Sequence, residues 1–206
     1  MTSPYAPPTP KQTRSELSTT RLLDAAAELI AEGGYERMTL TAIGKRAGYS
    51  PALVTARFGS KEGLLASLLD RITVVWAGDT LVPAVGEETG AAGLHRFFDE
   101  LRASWRRNPD QMRALYVLMF EAVLPTPFLR ERMADLHREL RRTIEQGISQ
   151  TVTSVDASTT AMLVVSALRG AVYQSLLDPE AVPIDTALSS LTHLADALLR
   201  EPTATR

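Results

Sequence analysis

From Thr20 onward apolar side chains recur every three or four positions, the period of a helix with one buried face, and no stretch shows the alternation of a strand. Leu22, Ala26, Leu29 and Ile30 form a first stripe that begins near Thr19 or Thr20 and stops at Gly33-Gly34. Leu40, Ile43 and Ala47 form a second, short one. It is opened by Thr39, whose hydroxyl can accept from a free backbone N–H, and closed by Gly48, where the chain leaves the helix. Helix restarts at Ser50-Pro51, a capping residue followed by a proline suited to the first turn. In this third helix Val54 and Phe58 face inward, Pro51, Ala52, Thr55, Ala56 and Arg57 lie nearer the outside, and Leu53 lies between the two faces. Two helices joined by so few residues meet at an angle as a helix-turn-helix, whose second member can enter a DNA major groove.

Ser60 caps a fourth helix that runs through Leu64, Leu65, Leu68, Leu69 and Ile72 to about Trp76. Its start, with Lys61, is placed to meet a phosphate, and its length makes it a candidate lever to whatever follows. The stretch from Gly78 to Gly93 breaks the helical pattern and reads as a connection between domains. Beyond it the spacing predicts helices over 92–107, 109–123, 126–149, 157–177 and 184–200, punctuated by Pro109, Pro125, Pro127, Pro179 and Pro183. The fold class is therefore all-α, with about nine helices. A disordered tail is expected over 1–17, a helix-turn-helix domain over 18–59, a connecting helix over 60–77 and a helical regulatory and dimerisation domain over 78–206. Arms such as the first segment sometimes track the minor groove.

Composition narrows the classes. With 206 residues, 45% apolar and 22% charged, the chain can bury one sizeable core or two small ones. Residues 1–77 hold nine Lys and Arg against seven Asp and Glu, and 78–206 hold thirteen against seventeen. That balance agrees with a DNA-facing front end without establishing one. The absence of cysteine excludes disulfides, thiol redox sensing and thiolate metal sites in this chain. No run of about twenty apolar residues and no apolar signal core is seen, so the expected location is cytoplasmic, with no membrane partner. His95, His137 and His193 lie in separate helices without metal-ligand spacing, and no glycine-rich phosphate loop follows a strand. No catalysis, metal or cofactor is expected.

Three consecutive blocks, LLDAAAELIAEGGY, TLTAIGKRAGYS and FGSKEGLL, lie between Thr20 and Leu69. Together they resemble the amino-terminal DNA-binding domain of the TetR family of transcriptional repressors, over about a quarter of the chain. The recognition helix departs from the family's usual residues at Pro51 and Thr55. The resemblance implies a homodimer, and a small effector that alters the separation of its two DNA-binding heads.

Candidate DNA contacts are Thr39, Tyr49, Ser50, Pro51, Ala52, Thr55, Ala56, Arg57 and Lys61. Arg57 can reach a guanine edge or a phosphate, or pair internally with an acid such as Glu62. Lys61 reads as a positioning contact, and Tyr49 either offers its phenol to a phosphate or packs the turn. Capping alone already explains Thr39 and Ser50. Ala52, Ala56 and the Thr55 methyl suit thymine methyl groups.

Wide, flexible apolar side chains gather at Phe98, Trp105, Met112, Tyr116, Met119, Phe120 and Met133. With His137, Arg169 and Tyr173 as polar groups, they are candidates for a pocket that takes a small hydrophobic effector. Ordinary core is the competing reading of each, and an acidic neighbour competes with a ligand for Arg169. The helix over 157–177 is apolar almost all round and demands a partner. Met162, Val165, Leu168 and Val172, with Leu188, Leu191, Leu194 and Leu198 from the last helix, are the expected four-helix dimer interface. The predicted function is a ligand-responsive regulator, a repressor released by its effector from a pseudo-palindromic duplex operator. A regulator without an effector and a protein-interaction module are the alternatives.

Overall fold

A computed structural model describes residues 10–76, 88–150 and 156–199. Residues 1–9 of the expected tail and 78–87 of the expected connection lie outside them. Nine helices and no strand occur among the described residues: α1 (Pro10–Arg37), α2 (Leu40–Ala47), α3 (Pro51–Phe58), α4 (Lys61–Trp76), α5 (Gly90–Arg107), α6 (Pro109–Glu121), α7 (Pro127–Ser149), α8 (Ala157–Leu177) and α9 (Ile184–Leu199). The chain forms two compact units that divide between Arg71 and Ile72, within α4.

In the first unit the inward stripes meet as their spacing requires. Leu22, Ala26 and Ile30 of α1, Ile43 of α2, Val54 of α3 and Leu64, Leu65 and Leu68 of α4 are fully buried. Arg71 ties α4 back to α1 through Asp24 at 2.7 Å. α1 is interrupted at Gly34 (φ 78°, ψ 174°), where the glycine pair was expected to end it. Its start differs from expectation: helix begins at Pro10, so residues 10–17, read as tail, are helical. The physical reason is tertiary. The Ser18 and Thr19 hydroxyls donate to the carbonyl of Ser15 at 2.8 and 3.0 Å, and Arg57 grips the same turn from α3. Propensity alone does not supply such an anchor.

In the second unit α9 packs on α5 and α8, α7 on α8 and α5, and α6 on α5 and α7. Phe97, Leu101, Leu115, Tyr116, Ile144, Leu168, Val172 and Leu188 are fully buried at its centre. Asp156 caps α8 by accepting from the amides of Ser158 and Thr159, and the Thr159 hydroxyl, followed by those amides, holds its carboxyl below the usual range. Arg130 closes the turn after α6 by donating to the carbonyls of Ala122, Val123 and Leu124. Among the described residues α8 is the one helix long and apolar enough to cross a membrane. Val164, Val165, Leu168 and Val172 bury one side of it within the unit, which is how a core helix uses such composition.

Candidate nucleic-acid interface and effector site

The turn between α2 and α3 is built by local hydrogen bonds. Thr39 Oγ1 accepts from the amide of Ala42 at 3.1 Å to open α2, and Ser50 Oγ accepts from the amide of Leu53 at 3.2 Å to open α3. Gly48 sits at φ 76°, ψ 30°, and the amide of Tyr49 returns to the carbonyl of Gly44 at 2.8 Å. That return brings the turn so close to α2 that a Cβ at Gly44 would lie 2.8 Å from the carbonyl oxygen of Tyr49. Gly44 is thus a residue the crossing requires, and periodicity did not single it out. Val54 anchors α3, while Pro51, Ala52, Thr55 and Ala56 present an exposed face of small side chains. Thr39 and Ser50 are exposed as well, and Tyr49 is half-buried.

Arg57 does not join that face and takes the internal alternative to a DNA contact. Its Nη1 donates to the Ser15 carbonyl at 3.1 Å, Ser15 Oγ at 2.6 Å and Thr19 Oγ1 at 2.8 Å, and its Nη2 to Ser18 Oγ at 3.1 Å. One turn of α1 thereby consumes the guanidinium, and the internal partner is a set of hydroxyls rather than Glu62. Lys61 stays near the start of α4, where its ammonium lies 4.1 Å above the Tyr35 ring and donates to the Glu36 carbonyl at 3.3 Å. Burial raises the Tyr35 phenol pKa, with Glu62 and Glu36 adding to it. Arg46 is committed too, to Glu28 at 2.9 Å and to Glu32 at 2.8 Å, and the bond to Glu32 lowers the pKa of that carboxyl. Lys45 beside it is exposed and has no such partner among the described residues. It is a cation the sequence reading passed over.

The expected effector residues divide. Phe98, Trp105, Met112, Tyr116, Met119 and Met133 are buried, and Trp105 lies against Tyr116 with ring centres 5.8 Å apart. Phe120 and Tyr173 are instead exposed and meet edge to face at 5.1 Å, apart from that buried group. His137 and Arg169 come together with Tyr116: Arg169 donates from Nη1 to the Tyr116 hydroxyl at 2.7 Å and from Nε to His137 Nε2 at 3.2 Å. Two open grooves elsewhere in the unit contain none of these side chains. One of about 470 Å³ runs along Pro125, Pro127, Arg130 and Ala134, and one of about 570 Å³ runs along Arg138, Arg141, Ser158 and Met162.

The expected dimer residues divide as well. Val165, Leu168, Val172, Leu188 and Leu191 are buried within the single chain, which corrects their reading as interface. Met162 and Leu194 are exposed, and Leu198 is half-buried. The outer face of α8 carries Leu163, Tyr173 and Leu177, the last 71% exposed, with the small Ser166 and Gly170 between them. Val123 and Leu124, after α6, are also exposed. An apolar helix offers no local signal for which side its own chain will cover.

The chain matches the family described as bacterial regulatory proteins, tetR family, over residues 22–68, and the tetracyclin repressor-like C-terminal domain over 85–201. It belongs to the TetR family. The HTH-type transcriptional regulator UidR of Escherichia coli (strain K12) is 28% identical over 141 residues, covering 62% of this chain and 70% of UidR. Among solved structures, the complex of SmeT with triclosan aligns with a TM-score of 0.75 at 18% identity, over 92% of this chain and 95% of SmeT. A regulator from Saccharomonospora viridis in complex with choline aligns at 0.72 and 23%, over 91% and 100%. Membership of the TetR family makes this chain a DNA-binding transcriptional regulator with its helix-turn-helix in the first unit. The capped α2–α3 pair described above is the part that carries that role.

Proposed function

We propose that this TetR-family protein is a non-catalytic, homodimeric repressor that acts in the cytoplasm on a pseudo-palindromic operator and is released by a small, largely apolar effector. The observation that carries the reading is the exposed face of Pro51, Ala52, Thr55 and Ala56 on a helix capped at Ser50 and anchored at Val54. Small side chains let a helix approach base edges closely, and methyl and hydroxyl groups suit thymine methyls and phosphates. Thr39, Tyr49, Ser50, Lys45 and Lys61 are the proposed positioning contacts, so affinity should fall steeply with salt.

Dimerisation is supported by the row Leu163, Ser166, Gly170, Tyr173 and Leu177, an apolar helix face with small residues that would let a second helix come near. The effector reading draws on the polar cluster of Tyr116, His137 and Arg169 inside apolar surroundings, and on relatives of the same fold whose structures hold triclosan or choline. α4, one continuous helix from Lys61 to Trp76, is the proposed route by which effector binding changes the population of DNA-competent states.

The test is to capture genomic fragments with the purified protein and sequence them. Enrichment of inverted repeats, with higher affinity for two half-sites than for one, is expected. Equal affinity for a lone half-site would sink the dimeric geometry, and lower reporter expression on deleting the gene would make the protein an activator.

A further inference from the structure

Arg169 stands near the middle of α8 and makes no ion pair with Asp or Glu among the described residues. Its Nη2 is sealed from solvent and meets no acceptor. Arg169 as a whole is half-buried, and a guanidinium partly withdrawn from water without a counter-charge is normally paired.

The neighbours cannot supply the missing charge. Nε2 of His137 accepts from Arg169, so the ring hydrogen is on Nδ1 and donates to the Met133 carbonyl at 2.7 Å. Burial, followed by the charge of Arg169, holds the His137 pKa below its ordinary value and keeps the ring neutral. Tyr116 is wholly buried, and that burial raises its pKa, so it is present as a phenol rather than a phenolate. The Tyr116 oxygen accepts from Arg169, and its own hydrogen has no acceptor among the described residues. The indole N–H of Trp105, a ring whose centre lies 5.8 Å from that of Tyr116, is buried and unpartnered too. The cluster thus holds the Arg169 charge, with that of Arg141 acting on His137 from α7, and three donors left without an acceptor, on Arg169, Tyr116 and Trp105.

Around it the side chains are apolar and adaptable. Met112 and Met119 share the buried face of α6 with Tyr116, and Met133 lies one turn before His137 on α7. Unbranched thioethers change rotamer at little cost, so they can make room for a guest.

We propose that Arg169, with Tyr116 and Trp105, is the head-group site for an amphipathic monocarboxylic acid whose apolar body lies among Met112, Met119 and Met133. A carboxylate matches one guanidinium in charge and accepts the idle donors. A phosphate dianion would exceed the one guanidinium in direct contact with the cluster, and a quaternary ammonium would meet like charge. The assignment rests on the reading that the second unit takes a small effector, and it narrows the class of that effector.

The test uses the full-length protein, titrated calorimetrically with decanoate and phenylbutanoate and, for comparison, with decanol and phenylbutanol. At least one acid should bind about tenfold or more tightly than its alcohol. R169Q, which keeps a donor but not the charge, should erase that preference. R142Q, in the open groove of α7 where Arg142 pairs with Glu139, should preserve it. Y116F provides a second variant should R169Q fold poorly, and it should weaken the acid more than the alcohol. Acids and alcohols binding alike, or a preference that survives R169Q and vanishes in R142Q, would overturn the head-group site and leave the effector reading standing. Binding of none of the four would overturn the site and count against the effector reading itself.

Discussion

Replacing Arg57 by alanine removes four hydrogen bonds that tie α3 to the first turns of α1, at 2.6 to 3.1 Å. Bonds to a charged donor contribute about 1.5–3 kcal/mol each when measured singly. Here they share one side chain, and the Ser18 and Thr19 hydroxyls keep their own bonds to the Ser15 carbonyl, so the loss falls well below the sum. We expect about 2–3 kcal/mol, a large part of the roughly 5–15 kcal/mol that holds a domain together. The exposed face of α3 is untouched. DNA affinity should therefore fall by the same factor on operator and scrambled duplexes, as residues 10–19 fray and α3 loses its brace. Urea unfolding at matched protein concentration measures the first quantity, and fluorescence anisotropy on the two duplexes the second. A stability change under about 0.5 kcal/mol, together with a loss confined to the operator, would refute the reasoning. It would mean that the guanidinium leaves α1 for a base edge when DNA is bound.

Gly63→Ala should lower the melting temperature by several degrees, because the new Cβ would lie 2.2 Å from the carbonyl oxygen of Phe58, and overpacking costs about 1–3 kcal/mol. An unchanged melting curve would show that the α3–α4 junction yields freely. A Cβ at Gly170 meets nothing within 4 Å in the single chain, so Gly170→Leu should keep its helicity yet sediment as a monomer if a second copy approaches α8 there. A dimer of wild-type strength would move the interface elsewhere. Burial and the charges of Arg169 and Arg141 depress the His137 pKa against the opposing bond to Met133. The unfolded chain then takes up a proton at about 6.5, and the folded one only at lower pH. Stability should hold above that value, decline as pH drops below it and level off under the folded pKa. The decline should shrink in His137→Phe, and parallel melting profiles for the two proteins between neutral pH and about pH 5 would contradict it.

Features that depend on a few neighbouring residues were legible in the sequence. Periodicity placed the helices, and the Thr39, Gly48, Ser50 and Pro51 signals marked both ends of the helix-turn-helix turn, because capping bonds span three or four residues. The inward position of Val54 and the small outer face of α3 follow from the same period. Tertiary structure alone decided where the longer side chains went. Arg57 reaches a partner 42 residues away and Arg169 one 53 residues away, separations over which spacing carries no signal. The early start of α1 depends on that first contact. The necessity of Gly44 arises only when another stretch of backbone comes against it. α8 is apolar on both sides, and its own chain covers Val165, Leu168 and Val172 while leaving Leu163, Tyr173 and Leu177 outside. Hydrophobicity says that a surface will be covered. Packing between distant segments chooses what covers it.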